Sequence, residues 1–267
     1  MKKISVVMPC LNAETYIEEA LYSIFNQSDN DVELIVIDGC STDRTLQILQ
    51  NCQWPIAKII SEKDQGANDA LNKGFDIASG DILCWLNADD VYIYKHTFAE
   101  VKSIFSAGDV NFAYGHSICI NNAGKTTKTL FSWPMNFNDY KKGSNIFTGS
   151  VFFSSNAWNN FGKFSLLYKV TFEHELLDYL FQEYQPHFIN KHLAALRQYP
   201  GTLSNRLRGL MNQERQQLRG SLPTQDLGYQ TRRAISLMNE GLALKVVKNK
   251  YSDLYADQHW LDIFRNS

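Results

Sequence analysis

Residues 81–92 read DILCWLNADDVY. Five residues fit for burial, Ile82 to Leu86, run straight into Asn87, Ala88, Asp89 and Asp90. A short apolar run without polar alternation is the pattern of a strand covered on both faces. Two carboxylates about 4 Å apart repel by roughly 4 kcal/mol at an effective dielectric near 20, and burial adds the loss of their hydration. Three outcomes relieve this: one carboxylate is protonated, one turns to solvent, or a cation sits between them. An acidic turn that caps a following helix is the plainer reading.

Upstream the same pattern recurs. Ile4–Met8 is a buried-strand run that Pro9 is expected to end, and Glu14–Gln27 carries Ile17, Leu21, Ile24 and Phe25 at helical spacing. Val32–Ile37 is a second strand, followed by STDRTLQILQ with Ser41 or Thr42 as the expected N-cap. Ile56–Ile60 is a third strand, and Ala67–Ala78 a helix with Ala67, Leu71, Gly74, Phe75 and Ala78 on one face. Four apolar strands alternating with helices predict a parallel sheet with helices on both sides.

In such sheets ligands bind beyond the carboxyl ends of the strands, and the polar clusters of this sequence lie at those four ends. The first offers Pro9, Asn12 and Glu14. The second offers Asp38 before Gly39, Ser41, Thr42 and Asp43; capping accounts for Ser41 or Thr42 but leaves Asp38 available to a ribose or base edge. The third offers Glu62, Asp64, Gly66, Asn68, Asp69 and Asn72, a set that reads equally as a solvated helix face. The fourth is Asn87–Asp90. Together they describe a pocket for a nucleotide diphosphate. Beside a polyphosphate, hard oxygen ligands favour Mg²⁺ or Mn²⁺, which keeps one or two protein carboxylates and takes its other ligands from phosphate and water. Neither GxGxxG after the first strand nor GxxxxGK[ST] is present, so neither a dinucleotide fold nor a P-loop is indicated.

The chain of 267 residues is 44 % apolar and 20 % charged, with a net charge of −2. That composition suits a soluble globular protein and argues against nucleic acid as a partner. Cys10, Cys40, Cys52, Cys84 and Cys119 form no CxxC pair, so reduced structural thiols and a cytoplasmic location are expected. The apolar run at the N-terminus is too short for a signal peptide, and no stretch reaches the roughly 18–20 apolar residues of a membrane span.

Beyond Tyr94 the pattern changes. Phe98, Val101, Ile104 and Phe105 mark a helix, NFAYGHSICINNAGKTTKTL a hairpin around Asn-Ala-Gly, FTGSVFF a strand, and Thr171–Gln185 a helix. From Ser204 on, polar basic helices split near Pro223 are expected. This divides the chain into an α/β half at 1–93, a second half of the same domain at 94–204 and a helical extension at 205–267. The extension holds Arg206, Arg208, Arg215, Arg219, Arg232, Arg233, Lys245, Lys248 and Lys250. A solvated surface is its default reading, and a face resting on anionic lipid at the inner side of a membrane is the sharper one. Trp133, Trp158, Tyr168 and Trp260 could stack on sugars, with core packing as the simpler role.

The segments ISVVMPCLNAETYIEEALYSIFNQ, ELIVIDGCSTDRTLQIL and SEKDQGANDALNKGFDIASGDILCWLNADD resemble, in order and spacing, the N-terminal half of family-2 glycosyltransferases with the GT-A fold. TGSVFFSSNAWNNFGKF, TFEHELLDYL and LAALRQYPGTLS extend the likeness to about residue 205. The resemblance implies a three-layer α/β/α sandwich with a mostly parallel sheet and a helical C-terminal extension. It implies an inverting transferase of the EC 2.4 class, moving sugar from a nucleotide-diphosphate donor to a hydroxyl on a saccharide or lipid-linked saccharide. Surface polysaccharide (O-antigen, capsule, exopolysaccharide) or glycolipid synthesis is the implied setting. It also implies that Asp38 holds the nucleoside, that Asn87–Asp90 binds ribose and metal with Asp89 and Asp90 as ligands, and that Glu173 is the general base. The donor set is then Pro9, Asn12, Glu14, Asp38, Asp64, Gly66, Asn72, Asn87, Ala88 and Asp89. Departures are Asn87 where many relatives have Asp, Gly39-Cys40 after Asp38, no arginine before Asn72, Glu rather than Asp at 173 with His174 beside it as a competing base, and Ser154-Ser155 in place of an arginine. A non-catalytic nucleotide-sugar binder is the alternative, and a nucleotidyltransferase a weaker one, because PCLNAE lacks a glycine- and base-rich triphosphate loop.

Overall fold

The computed structural model describes residues 2–143, 146–219, 255 and 258–267. The first half alternates as expected: β1 (Ile4–Cys10), α1 (Ile17–Phe25), β2 (Val32–Asp38), α2 (Thr45–Asn51), β3 (Lys58–Ser61), α3 (Ala67–Ile77) and β4 (Ile82–Trp85). There follow β5 (Val91–Tyr92), α4 (Thr97–Ala107), β6 (Phe112–Ile120), β7 (Thr126–Leu130) and α5 (Phe137–Lys141). A 3₁₀ turn (Thr148–Ser150) leads into β8 (Val151–Ser154), α6 (Ser155–Phe161), α7 (Glu173–Glu183) and β9 (His187–Arg197). The last described helices are α8 (Leu203–Arg206), α9 (Arg208–Arg219) and α10 (Trp260–Arg265).

All the strands join one sheet in the order β3-β2-β1-β4-β8-β6-β9-β5, with β7 on the side of β6. β1 to β4 are mutually parallel, and β6 and β9 are parallel as well. β8 runs antiparallel between β4 and β6, and β5 antiparallel on β9. Alternate side chains face opposite layers. Ile4, Val6, Met8, Leu34, Val36, Ile82 and Cys84 meet Ile17, Leu21, Ile24 of α1 and Phe98, Val101 of α4. Val7, Ile35, Ile37, Leu83 and Trp85 meet Ala70, Leu71, Phe75 of α3, Trp158 of α6 and Leu176, Leu177, Leu180 of α7. Gly74 sets the spacing on this side: a Cβ there would lie 2.3 Å from Val7 Cγ1, so glycine lets α3 close onto β1.

Two expectations are corrected, one strand appears that the pattern did not mark, and the core-packing role of the tryptophans is borne out. Pro9 does not end β1, which continues to Cys10 opposite Asp38. Pairing with β4 stops at Val7, so the missing N–H of Pro9 falls where no β4 partner remains. Neither Ser41 nor Thr42 caps α2, which begins at Thr45 with Arg44 before it. The sequence pattern gave no sign of β9, which pairs with β6 through two register shifts. Trp133, Trp158 and Trp260 are buried packing residues, while Tyr168 is half-buried against the same core.

The free thiols Cys10, Cys84 and Cys119 are buried, whereas Cys40 is exposed. No helix among the described residues is long and apolar enough to cross a membrane. The extension's basic residues from Arg232 to Lys250, and the helix break near Pro223, lie outside the described residues.

Candidate functional site

The carboxyl ends of β1, β2 and β3 are tied together by one side chain. Asp38, fully buried at the last position of β2, accepts from the Cys10 thiol at 3.7 Å, the Ser41 N–H at 3.0 Å, the Ser61 hydroxyl at 2.6 Å and the Ser41 hydroxyl. Burial pushes the Cys10 thiol up, and the Asp38 charge beside it pushes further, so sulfur stays a donor. A carboxylate out of water needs such partners. Asp38 is thus the knot of three strand ends, and what it presents to a ligand is the backbone it orders.

Asn12 and Glu14 fasten the first end to the second. Asn12, at φ 51°, accepts the Thr42 N–H on Oδ1 at 2.9 Å and donates its own N–H to Ser41 Oγ at 2.8 Å. Glu14 accepts from the Arg44 N–H and Nε at 2.9 and 3.1 Å. Asp64 fastens the third end: its Oδ1 accepts the Gly66 N–H at 3.0 Å, and a Cβ on Gly39 would lie 2.5 Å from its Oδ2. Burial raises the Asp64 carboxyl above its usual range. Gly66, at φ 135°, takes a turn that L side chains avoid.

Asn72 is not among these groups. Its side chain exchanges two hydrogen bonds with the Phe164 main chain, at 2.9 and 3.0 Å, and is buried there. Asn68 donates to the Ser165 and Tyr168 carbonyls at 2.8 and 2.9 Å. Both amides anchor the 162–172 segment to α3. Pro9 and Ala88 are buried and contribute backbone shape.

At the end of β4 the two carboxylates part. Asp90 turns inward and is buried; its Oδ2 accepts the Asn87 side-chain amide at 2.8 Å and its Oδ1 the Arg197 N–H at 2.8 Å. Each Asp90 oxygen thus already has a donor from within the chain. Asp89 is only partly buried, and its Oδ2 accepts the Tyr199 hydroxyl at 3.2 Å. Burial raises both carboxyls, and the Asp89 charge pushes Asp90 further up. A cation at Asp89 would relieve that cost. Among the described residues no group of three or more His, Cys, Asp or Glu could hold a metal ion.

Sequence reasoning missed Arg197 and Tyr199, which lie at and just past the end of β9. The buried Arg197 side chain donates to the Asp89 carbonyl at 2.8 Å, to the Asn121 carbonyl at 3.2 Å and to Glu19 Oε2 at 2.7 Å. Its guanidinium lies 4.3 Å from the centre of the Tyr16 ring, which in turn tilts against Tyr199 at 5.3 Å. Trp260 Nε1 donates to the same Glu19 oxygen at 2.6 Å, so α10 braces the turn that carries Asp89. The only sequence sign was a charge closing the apolar run HLAALR.

Glu173 and His174 open α7, and the His174 ring meets the Tyr140 hydroxyl at 3.4 Å. Lys169, four residues before Glu173, donates from Nζ to the Gln65 carbonyl at 2.8 Å, which ties the segment before α7 to the loop after β3.

The family model "Glycosyl transferase family 2" matches residues 5–167. A PGL/p-HBAD biosynthesis glycosyltransferase of Mycobacterium tuberculosis is 30 % identical over 174 residues, covering 62 % of this chain and 64 % of that protein. A UDP-Glc:alpha-D-GlcNAc-diphosphoundecaprenol beta-1,3-glucosyltransferase of Escherichia coli is 28 % identical over 144 residues, covering 54 % and 56 %. The chain thus matches less than two thirds of either relative's length. Among solved structures, S. aureus TarS 1–349 in complex with UDP-GlcNAc superposes with a TM-score of 0.64 at 17 % identity, over 98 % of this chain and 89 % of that one. A mannosyltransferase from Pyrobaculum calidifontis in complex with GDP-Man and Mn²⁺ gives a TM-score of 0.57 at 16 % identity, over 99 % and 86 %. These likenesses bear out the GT-A type of fold. With its strand ends carrying the expected polar groups and more than half of its length matched by the family model, the chain belongs to glycosyl transferase family 2.

Proposed function

We propose that this glycosyltransferase moves a sugar from a nucleotide-diphosphate donor to a hydroxyl of a saccharide or lipid-linked saccharide, with inversion, in surface polysaccharide or glycolipid synthesis. The observation that carries the reading is Asp89, a partly buried carboxylate just past the end of β4 that accepts the Tyr199 hydroxyl. The E. coli relative's name, with a UDP-sugar donor and a diphosphoundecaprenol-linked acceptor, supports the donor and acceptor classes. The Mn²⁺ in the mannosyltransferase complex supports a divalent ion.

Mg²⁺ or Mn²⁺ held at Asp89 would neutralise charge on the departing diphosphate. Asn12, Asp38 and Asp64 shape the floor for the nucleoside, with Gly66 admitting close approach of the donor. Glu173, on the first turn of α7, takes the proton from the acceptor hydroxyl as its oxygen bonds to the anomeric carbon and the bond to the diphosphate breaks. A single displacement of this kind inverts the centre. Residues 1–93 form the donor half and 94–204 the acceptor half; 205–267 serve as an extension that touches the second half through α9, with membrane contact as a further role of its basic residues.

Turnover tests this. The chain is incubated with nucleotide-diphosphate sugars, saccharide acceptors and Mn²⁺, and release of nucleotide diphosphate is measured beside an Asp89→Ala control. Release that depends on Asp89 is expected. Binding of a nucleotide sugar without release would favour a non-catalytic binder, and release of pyrophosphate from a nucleoside triphosphate would favour nucleotidyl transfer.

A further inference from the structure

The helix α9 is polar on nearly every side, yet one of its side chains is buried, and that side chain is the carboxylate of Glu214. Its flanking residues Gln213 and Arg215 are exposed. Placing a carboxylate out of water is costly unless donors receive it. Four do. Lys169 N–H donates to Oε1 at 2.7 Å, while Val170 N–H and Thr171 N–H donate to Oε2 at 3.0 Å each, with the Thr171 hydroxyl at 3.1 Å. Three consecutive main-chain N–H groups converging on one carboxylate form an anion nest, here filled from within the chain. With four donors converging on it, Glu214 is an acceptor already in use.

The nest lies immediately before α7. Thr171 is fully buried and its carbonyl accepts the His174 N–H at 3.0 Å, the first bond of the turn that carries Glu173. The same segment reaches the third strand end through the Lys169 ammonium on the Gln65 carbonyl. The conformation that satisfies Glu214 is therefore the one that fixes where α7 begins.

We propose that Glu214 is a positioning residue for Glu173: a clasp from the C-terminal extension that orders residues 169–171 and so aims the base. This rests on the reading of Glu173 as the base. It makes α9 part of the catalytic apparatus, because the α/β domain alone leaves these N–H groups without the carboxylate.

The test uses the full chain with Glu214→Gln, Glu214→Asp and Glu173→Gln. Amide hydrogen exchange is followed over 169–175. UDP and GDP binding is measured by calorimetry with Mn²⁺, and turnover with UDP-glucose, UDP-N-acetylglucosamine and GDP-mannose. In Glu214→Gln, exchange over 169–175 rises, kcat falls about 10- to 100-fold as expected for a misplaced reacting group, and nucleotide affinity holds. Glu214→Asp, which keeps the charge, recovers part of kcat. Unchanged exchange over 169–175 in Glu214→Gln overturns the clasp whatever the turnover. A fall in nucleotide affinity matching the fall in kcat overturns the positioning role. Full turnover by Glu173→Gln, with exchange still raised in Glu214→Gln, overturns the base reading and with it the claim that Glu214 aims a base.

Discussion

Asn87 donates its side-chain amide to Asp90 Oδ2 at 2.8 Å, so the residue that departs from the common acidic motif is the one that receives a buried carboxylate. The amide does what a second carboxylate could not do at neutral pH. It offers a donor to an oxygen that is otherwise shut away from water. Asp89 is left as the partly exposed acid of the motif.

Asn87→Asp should destabilise the metal-free chain by about 2 kcal/mol at pH 7, because a donor is lost and a second charge is buried beside Asp90. Each carboxylate raises the pKa of the other, so the loss should shrink as pH falls and one of them takes a proton. Urea denaturation at pH 7 and pH 5 measures both parts.

Arg197 joins Asp89, Glu19 and the loop at Asn121 from a fully buried position, and removal of its charge leaves Glu19 with the Trp260 indole N–H and solvent. Arg197→Met should cost about 2 kcal/mol, chiefly because the Asp89 and Asn121 carbonyls lose their donor, while the partly exposed Glu19 can turn to water. Trp260→Phe, which removes only the indole N–H from Glu19, should cost about 1 kcal/mol. Combined with Glu19→Gln it should be non-additive, since both act on one oxygen. A double-mutant cycle on unfolding free energies checks this.

Glu33 reports on the opposite, amino-terminal edge of the sheet. Burial alone would raise it, but the Ser5 hydroxyl, the Ser79 N–H and hydroxyl and the Lys3 ammonium outweigh burial and hold it at about 2, below its ordinary 4.5. A depressed carboxylate gives stability that is present above pH 4.5 and lost as pH falls toward 2. Glu33→Gln should cost about 1–2 kcal/mol at pH 7, discounted for the half-exposed Lys3 partner, and much less at pH 3. Thermal melts across that range measure the difference.

Glu173→Gln removes the proton acceptor and keeps the shape of the side chain. It should lower kcat by about 10²–10⁴-fold with little change in donor KM. Steady-state kinetics with the nucleotide-diphosphate sugar that turns over in the parent chain provides the comparison.

The N-terminal α/β half was legible because its signals are local. An apolar run followed by Asn, Asp or Gly marks a strand and its exit, and that reading located Asp38, Asp64 and Asp89 at the strand ends. Asn72 looked like a site residue on the same grounds, but an amide's partner is set by the fold, and here it is the Phe164 main chain 92 residues away. Arg197 and Glu214 were illegible for the same reason: their partners lie 108 and 45 residues away, at Asp89 and Lys169. Buried charges carry no periodicity, and nothing near them in sequence marks them as buried. Asp89 and Asp90 could not be told apart from the chain, since only the position of β9 decides which of them turns inward.

In the proposed reading the strand ends hold a nucleotide diphosphate through a divalent ion at Asp89. Calorimetric titration of UDP and GDP into the chain, with Mn²⁺ and with a chelator, tests it most directly. One of the two nucleotides should bind in the presence of Mn²⁺ and lose most of its affinity when Mn²⁺ is chelated or when Asp89 is changed to Asn. Equal affinity with and without the metal in both the parent chain and Asp89→Asn, or no binding of either nucleotide, would contradict the account.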